Sequence, residues 1–438
     1  MLLQFTVENY RSFQHKCVLS MEAAADKDLQ GSDGQENALH EDHVVRAGKD
    51  RVLRTAAIFG ANAAGKSNIF KALTTAIRLI RSSNMLQMGE PLTLIEPFRF
   101  SEETTSAPSS FEFVFFVQGK KYVYGFSATK RRIMTEYLYI YNSYRPTTIF
   151  TRDAAKSPEY HFTNAACRRE LAPIIARNTD NKLFLATATA WNSKVTAVPF
   201  SWFQLIDTYS SNYNNLFPRI MPLLEDDKDQ SLKAFICRVL HEADINIQGY
   251  TVESREVSDA EFLRQFPSQL LELLPTEFKQ SPHRTVDVRF QHHITADHDE
   301  IGKEYTMDLR DESDGTVNLF MLSPVLKQAF EEGRIVCVDE FDNSLHPLLV
   351  LYLVGLFHNP AINRANAQLI ISSHTMDLLS EHIMRRDQIY FVEKDQKTGA
   401  SELYSLDEFQ GTSRDIRKAY LLGRYGAIPT IQDGELPW

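Results

Sequence analysis

The segment Gly60-Ala-Asn-Ala-Ala-Gly65-Lys66-Ser67 is an unbroken G-x-x-x-x-G-K-S. In such a loop, glycines let backbone N–H groups close around phosphate oxygens. The lysine ammonium reaches the β- and γ-phosphates, and the serine hydroxyl ligates Mg²⁺. This assigns Gly60, Asn62, Ala63, Ala64, Gly65, Lys66, Ser67 and Asn68 to a nucleotide, with Ser67 also a metal ligand. The helix starting there adds its positive end to the phosphate site. A second motif, Arg334-Ile-Val-Cys-Val-Asp339-Glu340, is an apolar strand closed by two acids. Such strands are common in isolation, but beside a P-loop the pair has specific work. Asp339 is expected to hold Mg²⁺, usually through water, and Glu340 to orient or deprotonate the attacking water. A third strand, Leu369-Ile-Ile-Ser-Ser-His374, ends on a histidine. A lone histidine after a strand is usually incidental. One βα unit beyond Glu340, however, His374 is placed to contact the γ-phosphate and the attacking water. The cofactors implied are ATP and Mg²⁺.

These residues need a scaffold. Thr55-Ala-Ala-Ile-Phe59 is a short, wholly apolar run ending at Gly60, as expected of a buried parallel strand. Ile69, Phe70, Leu73, Ile77 and Ile80 then fall at helical spacing, with Lys71, Arg78 and Arg81 off the stripe. Leu3, Phe5 and Val7 alternate with other residues, predicting an edge or half-buried strand. The polar stretch Asp26–Asp50 predicts a long loop. From Pro97 to Tyr144 the pattern is that of hairpins. Phe111–Val117 and Tyr122–Ala128 flank a turn, and Ile133–Tyr141 makes a third strand. Between about Glu170 and Gln280 the character is mostly helical, with amphipathic stretches at Ser231–His241 and Asp259–Leu274. Strands resume at Thr285–Ile294, and from Gly315 the alternation of helix and strand is that of a parallel sheet. The expected fold is α/β, a parallel sheet with an antiparallel subdomain and an inserted helical lobe.

The chain has 438 residues, enough for two or three domains. With 47 Lys and Arg against 57 Asp and Glu the formal net charge is −10, so any nucleic-acid contact is expected to be local. Hydrophobic residues at 43% and charged residues at 24% exclude a disordered or low-complexity class. The longest apolar run, Pro347 to Phe357, is well short of the roughly 18–20 residues of a membrane span. The N-terminus lacks the pattern of a signal peptide. Cys17, Cys167, Cys237 and Cys337 are far apart, as suits reduced cytosolic thiols, and a cytoplasmic location is expected. Lys130-Arg131-Arg132 and Arg385-Arg386 are short basic clusters, either solvated turns or nucleic-acid contacts. Arg414, Arg417, Lys418 and Arg424 lie along a possible helix that could face a partner protein. His292-His293 sit on a probable strand, where neighbours point to opposite faces, which disfavours a shared metal.

The order of P-loop, distant Asp-Glu followed by Ser344-Leu345-His346-Pro347, and then Ser372-Ser373-His374 resembles the ATPase heads of the ABC superfamily, in its RecF, OLD and SMC branch. Val7-Glu8-Asn9-Tyr10-Arg11-Ser12-Phe13 resembles the opening of those proteins. More narrowly, Met1–Ser20 and Asp339–Pro429 resemble the AAA-type ATPases of bacterial phage-defence and abortive-infection systems, of AbiL or PARIS type. The resemblance implies a head split into residues 1–165 and 282–438, with 166–281 as the inserted helical lobe. It also implies a signature motif at Glu312-Ser313-Asp314-Gly315-Thr316, with Ser313 and Gly315 binding the γ-phosphate held by an opposite subunit. This segment departs from LSGGQ, and a Ser/Asp helix cap without a ligand is the alternative. A signature acting in trans implies at least a homodimer, with Asp342–His346 as the loop along its interface. Arg11 either approaches the nucleotide, as the resemblance implies, or is a surface arginine.

No second catalytic constellation accompanies these motifs, and the stretch after His374 is needed to finish the sheet. The function expected is therefore an ATPase acting as sensor or scaffold in antiphage defence, with a separately encoded nuclease or toxin as effector. A RecF-like DNA-binding protein of repair is the alternative. A transporter subunit fits less well, because the signature is atypical and the insertion is long.

Overall fold

In the computed structural model the described residues are 1–25, 41–210, 213–243, 245–257, 283–294, 303–409 and 415–429. They divide into two units: Met1–Ser211 with Gln328–Asn343 and Pro347–Trp438, and Asn212–Lys327 with Ser344–His346.

The first unit holds a six-stranded sheet in the order Ile206–Tyr209, Ile335–Val338, Gln368–Ser372, Thr55–Phe59, Ile389–Lys394 and Ser401–Ser405. All neighbours are parallel except the last pair, which is antiparallel. The three central strands Ile335–Val338, Gln368–Ser372 and Thr55–Phe59 are buried at every position. Being covered on both faces, they read as continuous apolar runs rather than alternations. The helix Lys66–Ser82 buries Ile69, Phe70, Leu73, Ile77 and Ile80, as its spacing predicts. Arg81, off that stripe, donates to Phe203 O and Ile206 O.

A seven-stranded antiparallel sheet completes this unit, with Leu2–Glu8 between Cys17–Ser20 and Ser109–Val117. The expectation of an edge or half-buried strand at Leu2–Glu8 is therefore corrected. The strand is paired on both sides, and Leu2 and Thr6 are buried as well as Leu3, Phe5 and Val7. Buried Gln368 explains the contact: its side chain accepts from Leu2 N (2.6 Å) and donates to Leu2 O and Leu53 O (3.0 Å each). Helices Ala165–Leu171, Phe184–Ala190 and Lys194–Phe203 also belong to this unit. Trp202 stacks on Phe115 with ring centroids 4.0 Å apart, and Phe203 packs edge-on against Phe113 and Tyr124.

Other expectations change in detail. Within the predicted loop, Val44–Ala47 and Asp50–Leu53 form a small hairpin, and residues 26–40 lie outside the described residues. Arg385 and Arg386 are buried rather than solvated. Asp387 takes both Arg385 Nε (2.9 Å) and a terminal nitrogen (2.7 Å), and Arg386 donates to Leu406 O and Phe409 O. Lys130-Arg131 do form the exposed turn between two strands. All four cysteines are free.

In the second unit, Ser231–Glu242 is the helix expected over Ser231–His241, and His283–Ile294 covers the expected strand. Gly249–Val257, in a segment predicted to be helical, is instead a strand pairing antiparallel with His283–Ile294. Its partner lies far along the chain, so local pattern did not disclose it. Asp259–Leu274 lies outside the described residues. Among the described residues, no helix is long and apolar enough to cross a membrane.

Candidate active site

In a parallel sheet every strand delivers its carboxyl end to the same edge, where ligands of open α/β folds bind. Phe59 leads there into the P-loop, Val338 into Asp339-Glu340, and Ser372 into Ser373-His374. The histidine strand lies between the other two, with registers Ser372↔Ile58 and Val338↔Ile371. P-loop and acidic pair are thus about two strand spacings apart, roughly 10 Å.

The P-loop keeps its shape through backbone conformations only small residues take easily. Gly60 and Gly65 have φ of 155° and 119°, and Ala63 is left-handed at 62°. A Cβ at Gly60 would lie 2.4 Å from Val392 O, and one at Gly65 would lie 2.4 Å from Ser401 Oγ and 2.9 Å from Ser12 Oγ. Ser401 Oγ donates to Ala64 O (2.5 Å), Ser401 N to Ser12 O (2.7 Å), and Asn68 Nδ2 to Ser12 Oγ (2.8 Å). The loop is therefore braced by Ser12, from the opening Val7–Phe13 stretch, and by Ser401, a residue the sequence reading missed. Nothing local marks Ser401; only the pairing of its strand with Ile389–Lys394 brings it here.

Lys66 is 7% exposed and donates to Gly60 O (2.7 Å) and Ala61 O (3.2 Å). Burial holds its ammonium below the usual lysine value, while Asp339, Glu340 and Asp342 oppose that shift by charge. Lysine and acids, distant in sequence, thus share one electrostatic site. No side chain caps the helix beginning at Lys66. An uncapped helix start, two glycines that admit no Cβ and a buried ammonium together fit a nucleoside triphosphate. Ser67 and Asp339 supply the oxygen donors suited to Mg²⁺.

Ser372, the last residue of the histidine strand, organises the acidic pair. Its hydroxyl donates to Asp339 Oδ1 (2.6 Å) and accepts from Glu340 N (2.7 Å). Glu340 is itself left-handed, with φ 54°, an uncommon state for a side-chain-bearing residue. Asp342 Oδ2 accepts from His374 N (2.7 Å) and Thr375 Oγ1 (3.0 Å), tying the acidic turn to the histidine turn. His374 and Glu340 are both exposed at this edge.

Residues 56–380 match the family described as AAA domain, putative AbiEii toxin, Type IV TA system. The chain belongs to this AAA-domain family. The match begins in the P-loop strand and ends just beyond His374, so all three motifs lie within it. No curated protein matches in sequence. Among solved structures, the chain is similar to an SMC head bound to the C-winged helix domain of ScpA. That match has 11% identity over 92% of this chain and 97% of the other, with a TM-score of 0.42. It is also similar to the SMC head domain from Thermotoga maritima (12%, covering 92% and 98%, TM-score 0.35). A third is the Smc head with an extended coiled coil bound to the C-terminal domain of ScpA derived from Pyrococcus furiosus (12%, 97% and 98%, TM-score 0.36).

In this AAA-domain protein Arg11 pairs with Glu96 at 2.5 Å. In the second unit, Ser313 Oγ accepts from Thr316 N (3.2 Å), the geometry of a helix cap, at the start of Asp314–Glu332. A Cβ at Gly315 would lie 2.7 Å from Ser344 O, and Glu312 Oε1 meets His292 Nε2 at 2.6 Å. His292 is thereby occupied, while the His293 side chain lies outside what is described.

Proposed function

We propose that this AAA-domain ATPase binds ATP with Mg²⁺ and hydrolyses it, pairing with a second copy over the nucleotide. The supporting observation is the meeting of Lys66, Asp339, Glu340 and Asp342 at one sheet edge, with the Asp339 carboxylate and the Glu340 backbone held by a single hydroxyl, that of Ser372. In this reading Lys66 and the P-loop amides hold the phosphates, and Ser67 and Asp339 hold Mg²⁺. Bound Mg²⁺ would neutralise charge building on the phosphate oxygens. Glu340 orients the attacking water and takes its proton, and His374 faces the γ-phosphate. Ser313 and Gly315 of one copy serve the nucleotide of the other.

The same reading makes the chain a cytoplasmic sensor or scaffold of antiphage defence, controlling a separately encoded nuclease or toxin. The family description, with its AbiEii toxin and type IV system, supports that setting. In the test, E340Q retains ATP, accumulates as a dimer in light scattering, and releases phosphate about 10²–10⁴-fold more slowly. Turnover at the wild-type rate overturns the assignment of Glu340. Phage challenge of cells carrying the gene with its neighbours, wild type against E340Q, tests the defence role; equal plaquing with and without the locus removes it.

A further inference from the structure

Phe100 is 70% exposed, yet it stands on supports that also hold the P-loop. On its own strand of chain, buried Phe98 donates its N–H to Asn9 Oδ1 (3.0 Å), and Glu96 O accepts from Arg11 N (2.8 Å). Asn9 and Arg11 belong to the same Val7–Phe13 stretch as Ser12, which braces Gly65 and Asn68. On the other side the ring rests on Gly399, a left-handed glycine with φ 71°. A Cβ at Gly399 would lie 3.0 and 3.2 Å from the ring's Cδ2 and Cε2. This turn is locked by Asp395 Oδ1, which accepts from Lys397 N (2.8 Å) and Thr398 N (2.7 Å). Two residues beyond Gly399, Ser401 bonds to the P-loop carbonyl of Ala64. Two residues of chain span at most roughly 7 Å, which keeps the turn under the ring close to the phosphate loop. Lys394 Nζ lies 5.8 Å from the ring centroid.

We propose that Phe100 is the platform on which the base of the bound nucleotide stacks. The inference rests on the nucleotide reading above and adds the residue that holds the base. Single exposed apolar side chains are ordinary. Phe100 differs in its two supports: the Glu96–Phe98 segment is bonded to Asn9 and Arg11, whose chain runs on to Ser12, and the Gly399 turn runs on to Ser401, both of which meet the P-loop. Stacking on a ring face tolerates any base. The site therefore takes nucleoside triphosphates as a class, and Phe100 is indifferent to a triphosphate without a base.

The full chain, as wild type, F100A, F100W and K66A, is titrated calorimetrically with Mg-ATP and with Mg-tripolyphosphate. F100A is expected to bind ATP about 5- to 100-fold more weakly, from the usual worth of base stacking, with tripolyphosphate changed less than about twofold. F100W restores ATP binding, and K66A loses both ligands. An F100A variant that binds ATP like wild type overturns the proposal and marks the ring as serving something else, such as a protein contact. Equal loss of both ligands in F100A also overturns it. A wild-type chain that holds neither ligand overturns the nucleotide reading itself, and the platform with it.

Discussion

The strand Thr55–Phe59 has polar groups at both ends, and the two ends behave oppositely. At its amino end they are buried and bonded to one another. Gln388 donates to Thr55 Oγ1 (2.7 Å) and Thr55 O (3.2 Å), and its Oε1 faces His43 Nδ1 (2.9 Å) and accepts from Arg385 N (2.8 Å). His358 Nε2 lies 2.8 Å from Thr55 Oγ1, and the His43 and His358 rings stack 3.5 Å apart. At the carboxyl end, Lys66 is buried against its own loop carbonyls, while Glu340 and His374 are exposed and Asp339 is half-buried. Histidines occur at both ends, so residue type does not separate structure from chemistry. A closed network fixes a core, because buried polar groups must find partners. An open edge, with left-handed backbone at Ala63 and Glu340, is where strain is kept for function.

Substitutions at the two ends should separate along this line. The largest effect is expected for Lys66→Ala, which should lower ATP affinity by more than about 100-fold, since a charge-assisted phosphate contact is lost. Its melting temperature should hold or rise, because a cation whose burial is unfavourable is removed. Calorimetric titration beside thermal melts checks both. Gln388→Leu should do the reverse. It removes the bonds of Gln388 to Thr55, His43 Nδ1 and Arg385 N and should cost about 2–3 kcal/mol in denaturant unfolding, with ATP affinity of the folded protein unchanged. Ser372→Ala should lower phosphate release by about tenfold with ATP still bound, because the acids lose their shared hydroxyl.

The smallest effect concerns Glu136, on a strand of the antiparallel sheet. Its fully buried carboxyl accepts from Phe184 N (2.6 Å), Leu185 N (2.8 Å) and Tyr124 OH (3.0 Å). Burial raises its pKa, against the opposing pull of Arg152 and these bonds. A raised carboxyl favours the protonated folded state, so this contribution is full below the ordinary carboxylate range and is lost as pH rises through the elevated value. Melting temperature should therefore fall over that window, and E136Q should flatten the slope. An unchanged slope in E136Q would assign it to another group.

The P-loop helix and its strand were legible because burial on a helix stripe or a doubly covered strand leaves a pattern within a dozen residues. So were the hairpins from Ser109 to Tyr141. The strand Gly249–Val257 was not, since its pairing with His283–Ile294 is a long-range contact with little local alternation. Arg385-Arg386 looked solvated because a basic pair gives no sign that Asp387 will bury with it.

At the site, sequence alone determined the candidate groups: Lys66, Ser67, Asp339, Glu340 and His374 stand in motifs whose spacing is set by a loop or a strand end. Only the tertiary structure decided what holds them. Ser12, Ser372 and Ser401 brace the loop and the acids from three separate stretches of chain, and Phe100 stands on two of the same supports. A hydroxyl's role is set by the atoms within a hydrogen bond's length of it, and folding alone brings those atoms together.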